Sequence, residues 1–203
     1  MANLIYAKPS DNVTSAATIA AQTGSVISGY PAANLANLDP SNPAKLTSVS
    51  GVGAWTFDFG SARSIDLVAI IGHTLNKTGS GAIAKLEGNA TNSWGAPTFS
   101  QSFVVPVFSL IEDGYSANIW LDFSGISPRS FRWWRLYLDN NLGSGDIIVG
   151  EFVMIATKRS LTSNFESGAI EQDDRIDIEH ETSGGVVRLY DRGVRMRRAS
   201  YTL

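Results

Sequence analysis

The 203-residue chain contains no cysteine. Disulfide scaffolds, thiol catalysis and thiolate zinc sites are therefore excluded. No apolar run approaches the roughly 18 residues needed to span a bilayer, so no membrane insertion is expected. The opening "MANLIYAKPSDN" lacks a basic region followed by an apolar core, so no secretory signal is expected there. Histidine is scarce: His73 and His180 are far apart in sequence, and no "GxSxG" occurs. A Ser-His-Asp triad cannot be assembled from them, because the base must be oriented beside a nucleophile on a sharp turn. Positive charge is also in short supply. The net charge is -3, which argues against nucleic acid, whose phosphates need clustered cations.

What the chain does have is β-forming material between turns. Hydrophobic residues make up 43%, enough for a proper core, and 19 glycines punctuate it with Ser, Thr and Asn. In "GAWTFDFGSARSIDLVAIIGH", Trp55, Phe57 and Phe59 alternate with Thr56 and Asp58, the signature of a half-buried strand. Residues Ile65 to Ile71 are apolar on both faces, as in a central strand. "AIAKLEGNA", "FSQSFVVPVF" (broken at Pro106), "ANIWLDFSG" and "GDIIVGEFVMIATK" supply further strands. Many short strands with turn chemistry between them predict an all-β, antiparallel sandwich. "AANLANLDPSNP" reads as a loop, and Ala2–Ala7 as a short first strand. "FRWWRLYLDN", Phe131 to Asn140, is the puzzling segment. Alternation puts Phe131, Trp133, Arg135, Tyr137 and Asp139 on one face and Arg132, Trp134, Leu136 and Leu138 on the other. Both faces carry apolar bulk. The expectation is a central strand with one of Trp133 and Trp134 in the core and arginines reaching for carboxylates; the alternative is an exposed aromatic platform.

From Lys158 the composition shifts, dividing the chain into residues 1–157, the sandwich with its first strand, and 158–203, a charged extension. The last 46 residues hold 16 of the 35 charged side chains, sorted by sign. Glu171, Asp173, Asp174, Asp177, Glu179 and Glu181 come first; Arg188, Arg192, Arg195, Arg197 and Arg198 follow a Ser-Gly-Gly turn. A C-terminal β-hairpin or extended arm is predicted. It is either solvated, with cross-strand ion pairs, or an arm that docks on a neighbouring subunit.

Five segments in order carry a family resemblance: "WTFDFG" from Trp55, "IDLVAIIGH" from Ile65, "LEGNATNSW" from Leu86, "FRWWRLYL" from Phe131 and "IVGEFVMI" from Ile148. Together they resemble the galactose-binding-like, discoidin (coagulation-factor type C) jelly roll, over roughly Tyr30 to Thr157. A narrower likeness is to such domains in tailed-phage tail structural proteins. It rests on Ala2-Asn3-Leu4, on "YPAANL" from Tyr30, on "IGHTL" from Ile71 and on the C-terminal extension. That resemblance implies a virion protein made in a host cytoplasm, sited near the tail tip or baseplate. Its partners would be further copies of itself in a ring and other tail proteins. The alternative is a carbohydrate-binding module that adheres to host-surface glycans.

Candidate sites are few. Trp94 and Tyr115 sit in loop-like contexts and are the candidates for glycan contact, which uses loop aromatics at one end of a sandwich. Asn37, Asp39 and Asn42 offer hard oxygen ligands of the kind calcium takes. The family's usual calcium-loop pattern is absent and Lys45 adds positive charge, so a capped turn is expected, with no metal and no cofactor. Glu151, in an otherwise apolar strand, must be paired or at an edge, and the resemblance implies a structural role for it. The resemblance also implies a structural hydrogen bond for His73. Nothing shows that Glu112, Asp113 and Glu151 converge on one cleft, so no enzyme is expected.

Overall fold

The computed structural model describes residues 5–75, 81–103, 105, 118–127, 129–160, 170–181 and 187–200, the last two segments by their backbone. In chain order the strands are β1 (Ile5–Tyr6), β2 (Thr18–Thr23), β3 (Ser25–Val26), β4 (Ala44–Thr47), β5 (Val52–Ser64), β6 (Leu67–Ile71), β7 (Ile83–Asn89) and β8 (Phe99–Phe103). There follow β9 (Ile119–Asp122), β10 (Ser130–Asp139), β11 (Asp146–Val149), β12 (Glu151–Ile155), β13 (Arg159–Ser160), β14 (Ile170–Glu181) and β15 (Val187–Ser200). Helical structure among the described residues is confined to single 3-10 turns at Pro9–Asp11, Thr14–Ala16 and Ala32–Ala36.

Two compact units result: residues Ile5–Arg159, and a second built on the chain from Ser160 onward. The first is the expected antiparallel sandwich. One layer is a five-stranded sheet in the order β2-β5-β10-β7-β8; three-stranded sheets β12-β6-β9 and β11-β4-β3 supply the other. Strand β6 is central in its sheet, as its apolar run predicts. The segment "GDIIVGEFVMI" serves two sheets in turn: β11 pairs with β4, and β12 with β6. The switch falls at Gly150, whose N–H donates to the Gly72 carbonyl. A Cβ there would lie 2.7 Å from the Pro40 carbonyl oxygen and 3.0 Å from that of Ile71, so only glycine fits the crossover.

Strand β10 lies between β5 and β7, hydrogen-bonded on both sides. From Trp133 onward its pleat follows the sequence pattern. Trp134, Leu136 and Leu138 are fully buried, while Trp133, Tyr137 and Asp139 face outward. Phe131 departs from the expected face: it too is buried. The cause is a β-bulge, a register shift against β5 between Phe131 and Trp133 that absorbs Arg132 and inverts the alternation there. Phe131 then packs edge-on against Trp134 at 5.4 Å and fills the space left by Gly88, where any Cβ would meet its ring.

Trp134 is the hub of the core. Its ring meets Phe99 edge-on at 5.6 Å and Phe123 at 6.3 Å, while Phe57 packs on Phe152 at 5.1 Å. Its Nε1 donates to the carbonyls of Phe131 (3.1 Å) and Arg63 (3.3 Å), so burial leaves no polar atom of the ring unpaired. Trp134→Ala is expected to destabilise the sandwich by about 3–5 kcal/mol. Trp133→Ala, on the half-exposed face, should cost only about 1 kcal/mol. Denaturant unfolding of the two variants checks this; equal losses would contradict the assignment.

Candidate functional site

The outer face of the five-stranded sheet gathers its chemistry in rows set by strand register. One row runs Thr18, Asp58, Trp133, Asn89; the next runs Ala20, Thr56, Arg135, Glu87, Ser100; a third holds Ala54, Tyr137, Lys85, Ser102. At the centre, Arg135 Nε and Nη2 both donate to Glu87 Oε2, and Nη1 donates to Gln22 Oε1 at 3.2 Å. The side chains of this pair are only 10% and 7% exposed. Removing one partner alone would strand a buried charge, typically at about 3–5 kcal/mol.

Trp94 covers the pair. The loop after β7 is pinned by Asn89, whose Nδ2 donates to the Ser93 carbonyl at 2.7 Å. Asn89 Oδ1 accepts from Ala90 N and from Thr98 Oγ1. The loop returns over the sheet, and the Trp94 ring lies on the Arg135 guanidinium at 4.8 Å, with its Nε1 donating to Asn92 Oδ1. Arg135 is also 5.6 Å from the Tyr137 ring, on which Lys85 Nζ sits at 5.2 Å. Arg132 reaches Asp58 with two hydrogen bonds (2.7 and 2.8 Å), and its guanidinium lies 5.4 Å from the Trp133 ring. That ion pair holds the Asp58 carboxyl down at about 2. Each arginine of this strand thus meets a carboxylate, as expected. What the sequence did not foretell is that the Trp94 loop joins Trp133 and Tyr137 on one face, with Trp94 and Tyr137 beside the Arg135–Glu87 pair and Trp133 beside Arg132–Asp58. All three rings are half-buried.

The other expected sites resolve differently. Tyr115, Glu112 and Asp113 lie outside the described residues. The oxygens of Asn37, Asp39 and Asn42 are engaged within their own turn: Asp39 Oδ1 accepts from Ser41 N and Oγ, Asn37 Oδ1 from Asp39 N, and Asn42 Oδ1 from Asn34 Nδ2. Lys45 Nζ rests on the Tyr30 ring at 3.6 Å. His73 is fully buried, its Nδ1 accepting from the Leu75 N–H at 3.3 Å. Trp120, on the outward side of β9, is 59% exposed, the most exposed tryptophan among the described residues. Alternation with buried Ile119 was the signal that could have found it.

Glu151 takes the second of the two places expected for it, at an edge: β12 is an outer strand of the sheet β12-β6-β9. It opens β12 opposite Ile71, is buried, and no side chain among the described residues pairs with it. Burial raises its carboxyl above the ordinary value of 4.5. The folded protein therefore binds this proton more tightly than the unfolded chain, and the charged form costs stability as pH rises through the window between 4.5 and the raised value. Glu151→Gln is expected to raise the Tm at neutral pH and to leave it unchanged below about pH 4. Thermal unfolding across pH reads this; a Tm lowered at neutral pH would point to a paired carboxylate instead.

The hairpin residues fall on two strands of the second unit. Glu171, Asp173, Asp174, Asp177, Glu179 and Glu181 lie on β14, and Arg188, Arg192, Arg195, Arg197 and Arg198 on β15. Their register sets Asp173 opposite Arg197 but also Arg175 opposite Arg195 and Asp177 opposite Asp191. Facing ion pairs are thus not what the register is built around.

No protein-family model matches the sequence, and no curated protein sequence matches it. Solved structures do resemble the fold. A Streptococcus pneumoniae fucose binding module aligns over 72% of this chain and 96% of its own, at 14% identity and a TM-score of 0.51. A Ruminococcus gnavus fucosidase in complex with fucose aligns over 76% of this chain but 28% of its own, at 12% identity and a TM-score of 0.50. A family 32 carbohydrate-binding module from C. perfringens, in complex with galactose, covers 73% and 98% at 12% identity and a TM-score of 0.49. At such identities the likeness is one of fold: the chain is an antiparallel β-sandwich of the same kind as the fucose binding module.

Proposed function

We propose that the Ile5–Arg159 sandwich is a non-catalytic carbohydrate-binding module and that a sugar sits on the outer face of the five-stranded sheet. The observation that carries this reading is a sheet face on which three half-buried rings gather about two ion pairs, Trp94 and Tyr137 beside Arg135–Glu87 and Trp133 beside Arg132–Asp58. A pyranose has one face of C–H groups and an edge of hydroxyls. The C–H face stacks on an aromatic ring, and the hydroxyls need donors and acceptors that are already held in place. Here Lys85, Gln22 and Asn92 border the rings. Because Arg135 and Glu87 are locked to each other, little side-chain freedom is lost when a ligand arrives. The fold likeness to a fucose binding module and to a fucosidase in complex with fucose supports this reading over the phage-tail one. The remaining content of the tail reading, assembly through the charged extension, stands as a separate question.

Binding to a shallow face should be weak for a single sugar, with a Kd of about 1 mM, or roughly -4 kcal/mol. Calorimetric titration with fucose- and galactose-terminated oligosaccharides is the test. Trp133→Ala and Trp94→Ala are each expected to weaken binding at least about tenfold, near 1.4 kcal/mol, while Trp120→Ala leaves it intact. Loss with Trp120→Ala alone would move the site to the other layer, and absence of binding to any glycan would overturn the reading.

A further inference from the structure

Strands β14 and β15 pair with each other at eleven register positions and with no third strand among the described residues. Among the described residues, then, each has one edge with no strand paired to it, 12 residues long on β14 and 14 on β15. At roughly 3.3 Å per residue the shorter edge runs about 40 Å. Isolated two-stranded ribbons are marginal in water, and an open edge of that length is a template for another strand.

The sequence gives the two edges opposite character. Strand β14 has six acidic residues and one basic, a net -5; β15 has five basic and one acidic, a net +4. Within the hairpin this complementarity is largely unused, because the register sets Arg175 against Arg195 and Asp177 against Asp191. Between copies it is decisive. Pairing β14 with β14 would bring -5 against -5, and β15 with β15 would bring +4 against +4; only β14 against β15 joins opposite signs.

We propose that the hairpin is an intermolecular strand-addition element, in which β14 of one copy pairs with β15 of the next. The contact is heterologous, so copies join head to tail into a closed ring, or an open row if the rotation does not close. Its partner is a second copy of this chain, and it stands independently of the sugar-binding reading.

The full-length protein, measured by light scattering behind a sizing column, provides the test. Assembly is expected at about 0.1 M salt and dissociation at about 1 M, where the Debye length falls from roughly 10 Å to 3 Å. One variant reverses the basic edge (Arg192, Arg195, Arg197 and Arg198→Glu). A second reverses the acidic edge (Asp173, Asp174, Asp177 and Glu179→Arg). Each alone is expected to be monomeric with the sandwich's thermal transition unchanged, and their one-to-one mixture to associate again. A wild type that stays monomeric at low salt, reversals that leave assembly unchanged, or a mixture that stays monomeric would each overturn the proposal.

Discussion

Strand β10 is held by neighbours on both sides, and its two-residue period divides the molecule's chemistry between inside and outside. Trp134 points into the sandwich and organises a ring cluster that joins the layers; Arg135, one residue on, points out and organises the sheet face. A shift of one residue in register would exchange them, burying a guanidinium among phenyl rings and exposing the hub of the core. The bulge at Arg132 confines the irregularity to the start of the strand. It frees Arg132 to hold Asp58 while returning Phe131 to the core, so one extra residue serves two layers.

On the outward face the arrangement depends on charge being paired before aromatic surface is offered. Arg135 is nearly fully buried yet bonded to Glu87 and Gln22, and it lies under Trp94. Guanidinium stacks readily on indole because it is planar and weakly hydrated. The Asn89-centred loop hydrogen bonds fix where that indole lies, so the position of Trp94 is set by backbone geometry as much as by its own packing.

Much of this was legible in the chain itself. Alternation located the strands around Trp55 and Leu136, and the ordered segments from Trp55 to Ile155 pointed to the sandwich now observed. The acidic partners of both arginines were foreseeable in kind, because a buried cation such as Arg135 needs a counter-charge and an exposed one such as Arg132 readily finds one, but not in identity. Asp58 and Glu87 lie 74 and 48 residues away in sequence, and only strand register brings them across. The same limit hid Trp94: alternation already puts Trp133 and Tyr137 on one face, but only the fold brings the loop after β7 over it. The inversion at Phe131 was unreadable because a bulge leaves the residue types unchanged. Glu151 was legible as a residue that had to be paired or at an edge, and it lies on an outer strand, where burial raises its carboxyl above the ordinary value.

The entering and leaving chain of the sandwich run together. Asn12 bridges to Ile155, Ala156 N donates to the Asp11 carbonyl, and the Asp11 carboxylate holds Arg159 at 3.1 Å. A unit whose two ends emerge from one corner behaves like a bead on a stalk. It can be set into a host chain, or hung from an assembling scaffold, without any strand of its interior being rerouted. Such portability lets the same folded body be displayed singly or in an array.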